Sequence, residues 1–183
     1  MRPHPEAAAA AGHAAGMDRR AAMILALLAL CSLALSGRGA QASPINPAET
    51  AVTLPDAITW KPWNGAPPGS AEIATLSGSL DAPGPYLVLM RWHPGFMSAP
   101  HSYATDRLSI VLSGTWWVNS GTDFDPAQTM PVPLGGFVHR FARTPHYDGV
   151  RSGAAGPAVI ALFGIAPVLF EAIEPGAPVW RRA

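Results

Sequence analysis

The chain of 183 residues balances twelve basic side chains against twelve acidic ones and contains one cysteine, Cys31. With a single lysine, Lys61, and arginines scattered rather than striped, it offers no electrostatic surface for nucleic acid and no charged tail. One cysteine excludes a disulfide framework, so stability has to come from an apolar core, and a domain of about 140 residues buries roughly 68–70% of its unfolded surface.

The first feature in chain order is a leader. Residues 1 to 20 are Ala-rich and lack apolar periodicity; Arg19-Arg20 then precede an apolar run from Ala21 to Leu35, which ends in Ser36, Gly37, Gly39 and Ala40-Gln41-Ala42. A basic start, an apolar middle and a small-x-small end predict a signal peptide over residues 1–42, cleaved before Ser43. The run is shorter than the ~20 apolar residues of a membrane span. The expected product is periplasmic or secreted, touching a membrane only if the leader stays uncleaved. Met17 stands just before Asp18-Arg19-Arg20, and a start there gives a leader of ordinary length. Leu30 before Cys31, where lipid attachment wants a small residue, argues against a lipoprotein.

Residues 43–70 carry Pro44, Pro47, Pro55, Pro62, Pro67 and Pro68, which disfavour long helices. They predict an extended arm with one or two short strands around Ile58 to Trp60, packed along the domain or along a partner subunit. From residue 71 to 183 short apolar segments alternate with turns. Predicted strands are Ala71–Gly78, Tyr86–Trp92, Leu108–Leu112, Thr115–Asn119, Met130–Leu134, Phe137–Phe141 and Ala158–Ile165. The last is nearly all apolar and reads as buried on both faces. Ala166–Ala172 reads as a short terminal helix. Even spacing with Gly and Pro between strands predicts an all-β sandwich or barrel, without repeats or a second domain.

Four histidines follow the leader: His93, His101, His139 and His146. Neutral imidazole is a common transition-metal ligand, although two distant histidines are more often hydrogen-bonded than ligating. Gly95, His101 and Gly114, with Gly135 and His146, fall on the spacing of two motifs, and the whole of residues 86 to 166 resembles the cupin superfamily, in particular small bacterial cupin-domain proteins of poorly defined function. The resemblance implies a double-stranded β-helix, or jelly-roll barrel, with His101 and His146 pointing into one mouth.

Departures from the motifs bear on function. Where metal-binding relatives place a second His and a Glu, this chain has Tyr103 and Arg107; where the second motif has Pro and Gly, it has Phe141 and Arg143. Arg107, if it points inward, opposes a cation. Tyr103 shares a strand face with His101 and could serve as an oxygen ligand, while His139 or Asp106 could reach in to complete the set. The candidate metal ligands are therefore His101, Tyr103 and His146, for one transition-metal ion among Fe, Zn, Mn, Ni or Cu. Adjacent Trp116 and Trp117 must point to opposite faces, one inward and one under the arm or at a dimer contact. Trp92, Phe137 and Tyr147 add aromatic surface for a small-molecule ligand.

Three functions stay open at this level. One is a metal-dependent enzyme, such as an oxygenase or isomerase, acting on a small organic molecule. The second is a small-ligand-binding or sensing barrel that has lost its metal, with Arg107 facing an anion. The third is an exported structural protein whose barrel serves homodimerisation.

Overall fold

The computed structural model describes residues 44–63 and 65–183; the predicted leader, its predicted cleavage site and Cys31 lie outside them. Residues 44–51 belong to a first unit and include a turn in which the Asn46 carbonyl accepts from the backbone N–H groups of Glu49 and Thr50 at 3.0 and 2.9 Å. The second unit is Val52–Ala183.

The larger unit opens with a 3₁₀ turn at Pro55–Ala57, so the first strand comes slightly later than the Ile58–Trp60 expected: β1 is Lys61–Pro62. There follow β2 (Ala71–Ser77), β3 (Gly84–Trp92), β4 (Phe96–Ser98), β5 (His101–Tyr103), β6 (Arg107–Ser113), β7 (Thr115–Ser120), β8 (Met130–Pro133), β9 (Phe137–Arg140), β10 (His146–Val150), β11 (Ala158–Ala166), β12 (Phe170–Ala172) and β13 (Trp180–Arg182). One sheet runs β1-β2-β3-β11-β6-β9. The other runs β12-β5-β10-β4-β13, with β7 paired to β10 and β8 to β7.

The alternation in sequence is the alternation in space. In β6, Arg107, Ser109 and Val111 face inward, and Leu108, Ile110 and Leu112 face outward. Inward-facing Tyr86, Val88, Met90 and Trp92 of β3 meet Ile160 and Leu162 of β11 and Trp116 of β7 in one core. Trp63 of the arm joins it, edge-on to Trp92 at 5.4 Å between ring centroids.

Two expectations are corrected. Strand β11 is buried on one face only: Ala158, Ile160 and Leu162 are inside, whereas Phe163 and Ile165 are exposed. Its outward side chains are as apolar as its inward ones, so composition mimics double burial. Ala166–Ala172 holds no helix, because Phe170–Ala172 pairs with β5 as β12.

The motif glycines Gly95, Gly114 and Gly135 all have positive φ, at 86°, 70° and 81°, where a side chain is strained. Arg143 stands where the second motif has glycine and holds φ 60°, the only non-glycine residue with positive φ among those described. Arg143→Gly should therefore raise stability by about 1 kcal/mol by releasing left-handed strain. A rise in the urea midpoint at unchanged slope checks it; a lower midpoint would mean that Arg143 contributes contacts outweighing the strain.

Candidate functional site

His101 opens β5 and His146 opens β10, and they are direct cross-strand partners. Their ring centroids lie 4.4 Å apart. Each ring is tied at Nδ1 to the carbonyl two residues earlier, His101 to Ala99 at 2.7 Å and His146 to Thr144 at 2.9 Å. A carbonyl only accepts, so Nδ1 carries the proton and, in the neutral ring, Nε2 keeps a lone pair. Both rings are held neutral. Burial first, then the neighbouring His146, lowers His101 to about 3; burial first, then Arg140, lowers His146 to about 4.

Tyr103 follows on the same face of β5, its ring 4.9 Å from His101 and 5.8 Å from His146. Burial pushes its phenol above the usual range, although Arg107 pulls the other way, so the hydroxyl keeps its proton at neutral pH. The three residues nominated from sequence are thus brought together in one cavity.

The cavity's charges come from residues opposite one another. Arg107 at the start of β6 and Arg140 at the end of β9 are cross-strand partners, and both are buried. Arg107 donates from Nε to Tyr86 Oη at 3.0 Å and lies over the Tyr103 ring at 4.1 Å. The Tyr86 phenol fits because residue 164 is glycine, where a Cβ would strike the tyrosine ring. Arg140 donates to the Asn119 carbonyl at 2.9 Å and meets Asp148 Oδ2 at 3.4 Å. Asp148 Oδ1 in turn accepts from Trp116 Nε1 at 3.1 Å. The charged and aromatic residues, with Trp63, Met90, Trp92, Ser98, Ser109, Ile160 and Leu162, line a narrow cavity of about 20 Å³ that opens toward solvent. Three buried polar atoms among those described have no hydrogen-bond partner: Trp92 Nε1, Ser109 Oγ and Arg140 Nε. All three belong to residues of this cavity. An outer groove of about 320 Å³ shares Trp63 and Tyr103 with it and includes Phe170, which stacks on His101 at 4.8 Å.

Several sequence-based expectations fail here for geometric reasons. His139 alternates with inward Arg140 on β9 and so faces outward, where Asp106 Oδ2 meets its Nε2 at 2.8 Å. Asp106 also accepts from the Ala142 N–H, and neither residue enters the cavity. Phe137 lies on the same outer face and is 60% exposed. His93 pairs with Glu72 at 3.0 Å outside the cavity. Arg107, by contrast, does point inward, and Trp116 is buried against the cavity while Trp117 is not. Arg140 and Asp148 were missed. Asp148 was legible, since it follows His146 by two residues on one strand and shares its face. Trp63 carried no such signal, because its place depends on how the arm folds back.

A resident divalent ion fits this donor set poorly. It would have two imidazoles, a phenol that keeps its proton and the Asp148 carboxylate already engaged by Trp116 and Arg140, with two guanidinium groups nearby. Among the described residues no three His, Cys, Asp or Glu side chains cluster to hold a metal.

No sequence-family model matches the chain, and no curated protein matches it in sequence. Solved structures do resemble it. The polyketide cyclase RemF from Streptomyces resistomycificus superposes with a TM-score of 0.55 at 15% identity, covering 68% of this chain and 86% of that one. A cupin-2 domain from Rhodospirillum rubrum gives 0.51 at 13% identity over 73% and 86% of the two chains. An RmlC-like cupin protein from Ralstonia eutropha JMP134 gives 0.50 at 16% over 73% and 79%. At these identities the likeness speaks for fold alone: on its two antiparallel sheets and these likenesses, the chain has the cupin fold, a jelly-roll β-barrel.

Proposed function

We propose that this protein is an exported cupin that binds a small anionic organic molecule, a compact carboxylate, inside its barrel. The observation that carries the reading is the Arg107–Arg140 cross-strand pair. Like charges directly opposite on one sheet face destabilise it, and here both are buried with one carboxylate, Asp148, in the same cavity. One positive charge is left over, and the two histidines are neutral and do not change the sum. An anion between the arginines would cancel that charge, and the unpartnered N–H and O–H groups of Trp92, Ser109 and Arg140 are donors suited to its oxygens. Trp63, Met90, Ile160 and Leu162 would cover an apolar body.

Isothermal titration with benzoate, and with neutral benzyl alcohol as its control, tests the reading. Benzoate should bind measurably and benzyl alcohol should not. Arg107→Gln should weaken benzoate about 100-fold, the effect of removing one partner of a buried charged contact. Equal binding of the two probes, or of benzoate by wild type and Arg107→Gln, would defeat it.

A second reading keeps the metal on His101, Tyr103 and His146. Its support is the pair of neighbouring imidazoles, both fixed at Nδ1 with Nε2 free. Metal analysis of protein purified without chelators decides between the two. A stoichiometric ion that disappears in His101→Ala would return the site to metal.

A further inference from the structure

The room inside the barrel is much smaller than the room at its mouth. The inner cavity, at about 20 Å³, holds little more than a carboxylate group, since a single water already needs about 10–15 Å³. The outer groove measures about 320 Å³, and an apolar cavity of about 150 Å³ is enough to admit benzene. Its walls include Ile73 of β2, Leu80 in the loop after it, and Val168 and Phe170 before and on β12. All four are half-buried and pack against the core on one side. The Val168 N–H donates to the Leu80 carbonyl at 2.7 Å, which ties together the two loops that carry these walls.

The two spaces meet at a throat of aromatic rings. Trp63 and Tyr103 line both. Phe170 is the cross-strand partner of Tyr103, and its ring lies 5.8 Å from Tyr103 and 6.4 Å, edge-on, from Trp63. Charge changes sign across the throat. Arg107 and Arg140 outnumber Asp148 inside, whereas Asp81 is the only charged side chain lining the groove among the described residues.

We infer that the groove holds the apolar tail of an aryl-alkanoate monocarboxylate whose head alone enters the barrel, a step that rests on the anionic reading above. The inner cavity has no room for a ring, so whatever lies beyond the head has to leave through the throat. The arginines attract the head and Asp81 repels it, which fixes the direction in which the molecule lies. An aryl tail suits the lining because aromatic rings pair edge-on or offset with rings such as Trp63 and Phe170. A second carboxylate at the far end would meet Asp81, which disfavours dicarboxylates.

Isothermal titration of the purified full chain with benzoate, 4-phenylbutyrate and neutral 4-phenylbutanol tests it. The benzoate ring reaches no farther than the throat, and the added methylenes of 4-phenylbutyrate carry its ring into the groove. At roughly fourfold per buried methylene, less the cost of ordering the chain, 4-phenylbutyrate should bind about tenfold tighter than benzoate and compete with it. Val168→Trp fills the groove, and Ile73→Thr keeps strand propensity while making the wall polar. The affinity ratio of the two acids should fall to about one in the first and to about three in the second. Should Val168→Trp fail to fold, Ile73→Thr combined with Leu80→Asn takes its place, with a ratio again near one. A wild-type ratio of about one, or a tenfold ratio kept in every folded variant, overturns the tail subsite and leaves the anionic head standing. 4-Phenylbutanol bound as tightly as 4-phenylbutyrate overturns the anionic reading and the tail subsite with it.

Discussion

Between pH 7.5 and pH 5 the chelator-treated protein is expected to lose about 4 kcal/mol of stability through His101 and His146 alone. In the unfolded chain both rings titrate near 6.5; in the fold burial lowers them to about 3 and about 4. Below 6.5 the unfolded state therefore binds two protons that the folded state refuses, so stability falls as pH falls. The loss begins near pH 6.5, grows by about 1.4 kcal/mol per pH unit for each ring, and levels off near pH 4 for His146 and near 3 for His101. At pH 5 that is about 2 kcal/mol from each. Arg107 and Arg140 also oppose a charged imidazole, whereas Asp148 and the Ala99 and Thr144 carbonyls favour one without overcoming burial. Urea denaturation at a series of pH values measures the slope. His101→Gln removes one titrating ring and should halve it. A midpoint constant from pH 7.5 to 5 would mean that the rings are solvated or charged, and the buried description of the site would be wrong.

Asp148→Ala should cost about 3 kcal/mol, the lower part of the range for stranding a buried charge. Asp148 is the one carboxylate of the cavity. Its Oδ1 takes the Trp116 indole N–H, its Oδ2 faces Arg140, and its backbone N–H donates to Ser98 Oγ at 3.0 Å. Removing the carboxylate leaves a fully buried indole donor unpaired and two guanidinium groups without a counter-charge. Arg140 keeps its bond to the Asn119 carbonyl, so the loss stays short of the upper range. Asp148→Ala combined with Arg140→Leu should be less destabilising than the sum of the single changes, because the second removes the charge that the first strands. Benzoate should partly restore the single variant by supplying the missing negative charge. A cost below about 1 kcal/mol, or strict additivity, would show the pair to be solvated.

Much of this protein was legible in its sequence because the signals are local. Period-2 alternation and Gly or Pro between segments mark β2, β3, β6, β7, β8, β9 and β11, and positive φ at Gly95, Gly114 and Gly135 is a demand that a few neighbouring atoms make. His101 and Tyr103 share a face by strand period alone, as Trp116 and Trp117 must oppose one another. The three-residue strands β4, β12 and β13 were not legible, since segments so short have no period and exist only because a partner strand lies beside them. The site's charge likewise depended on tertiary pairing. Arg107 and Arg140 are far apart in sequence, and only the β6–β9 register sets them opposite each other and turns His139 outward. Strand β11 shows the limit most clearly. Its apolar side chains at both parities predict burial on both faces, but which face the core covers is settled by where the strand sits in the sheet.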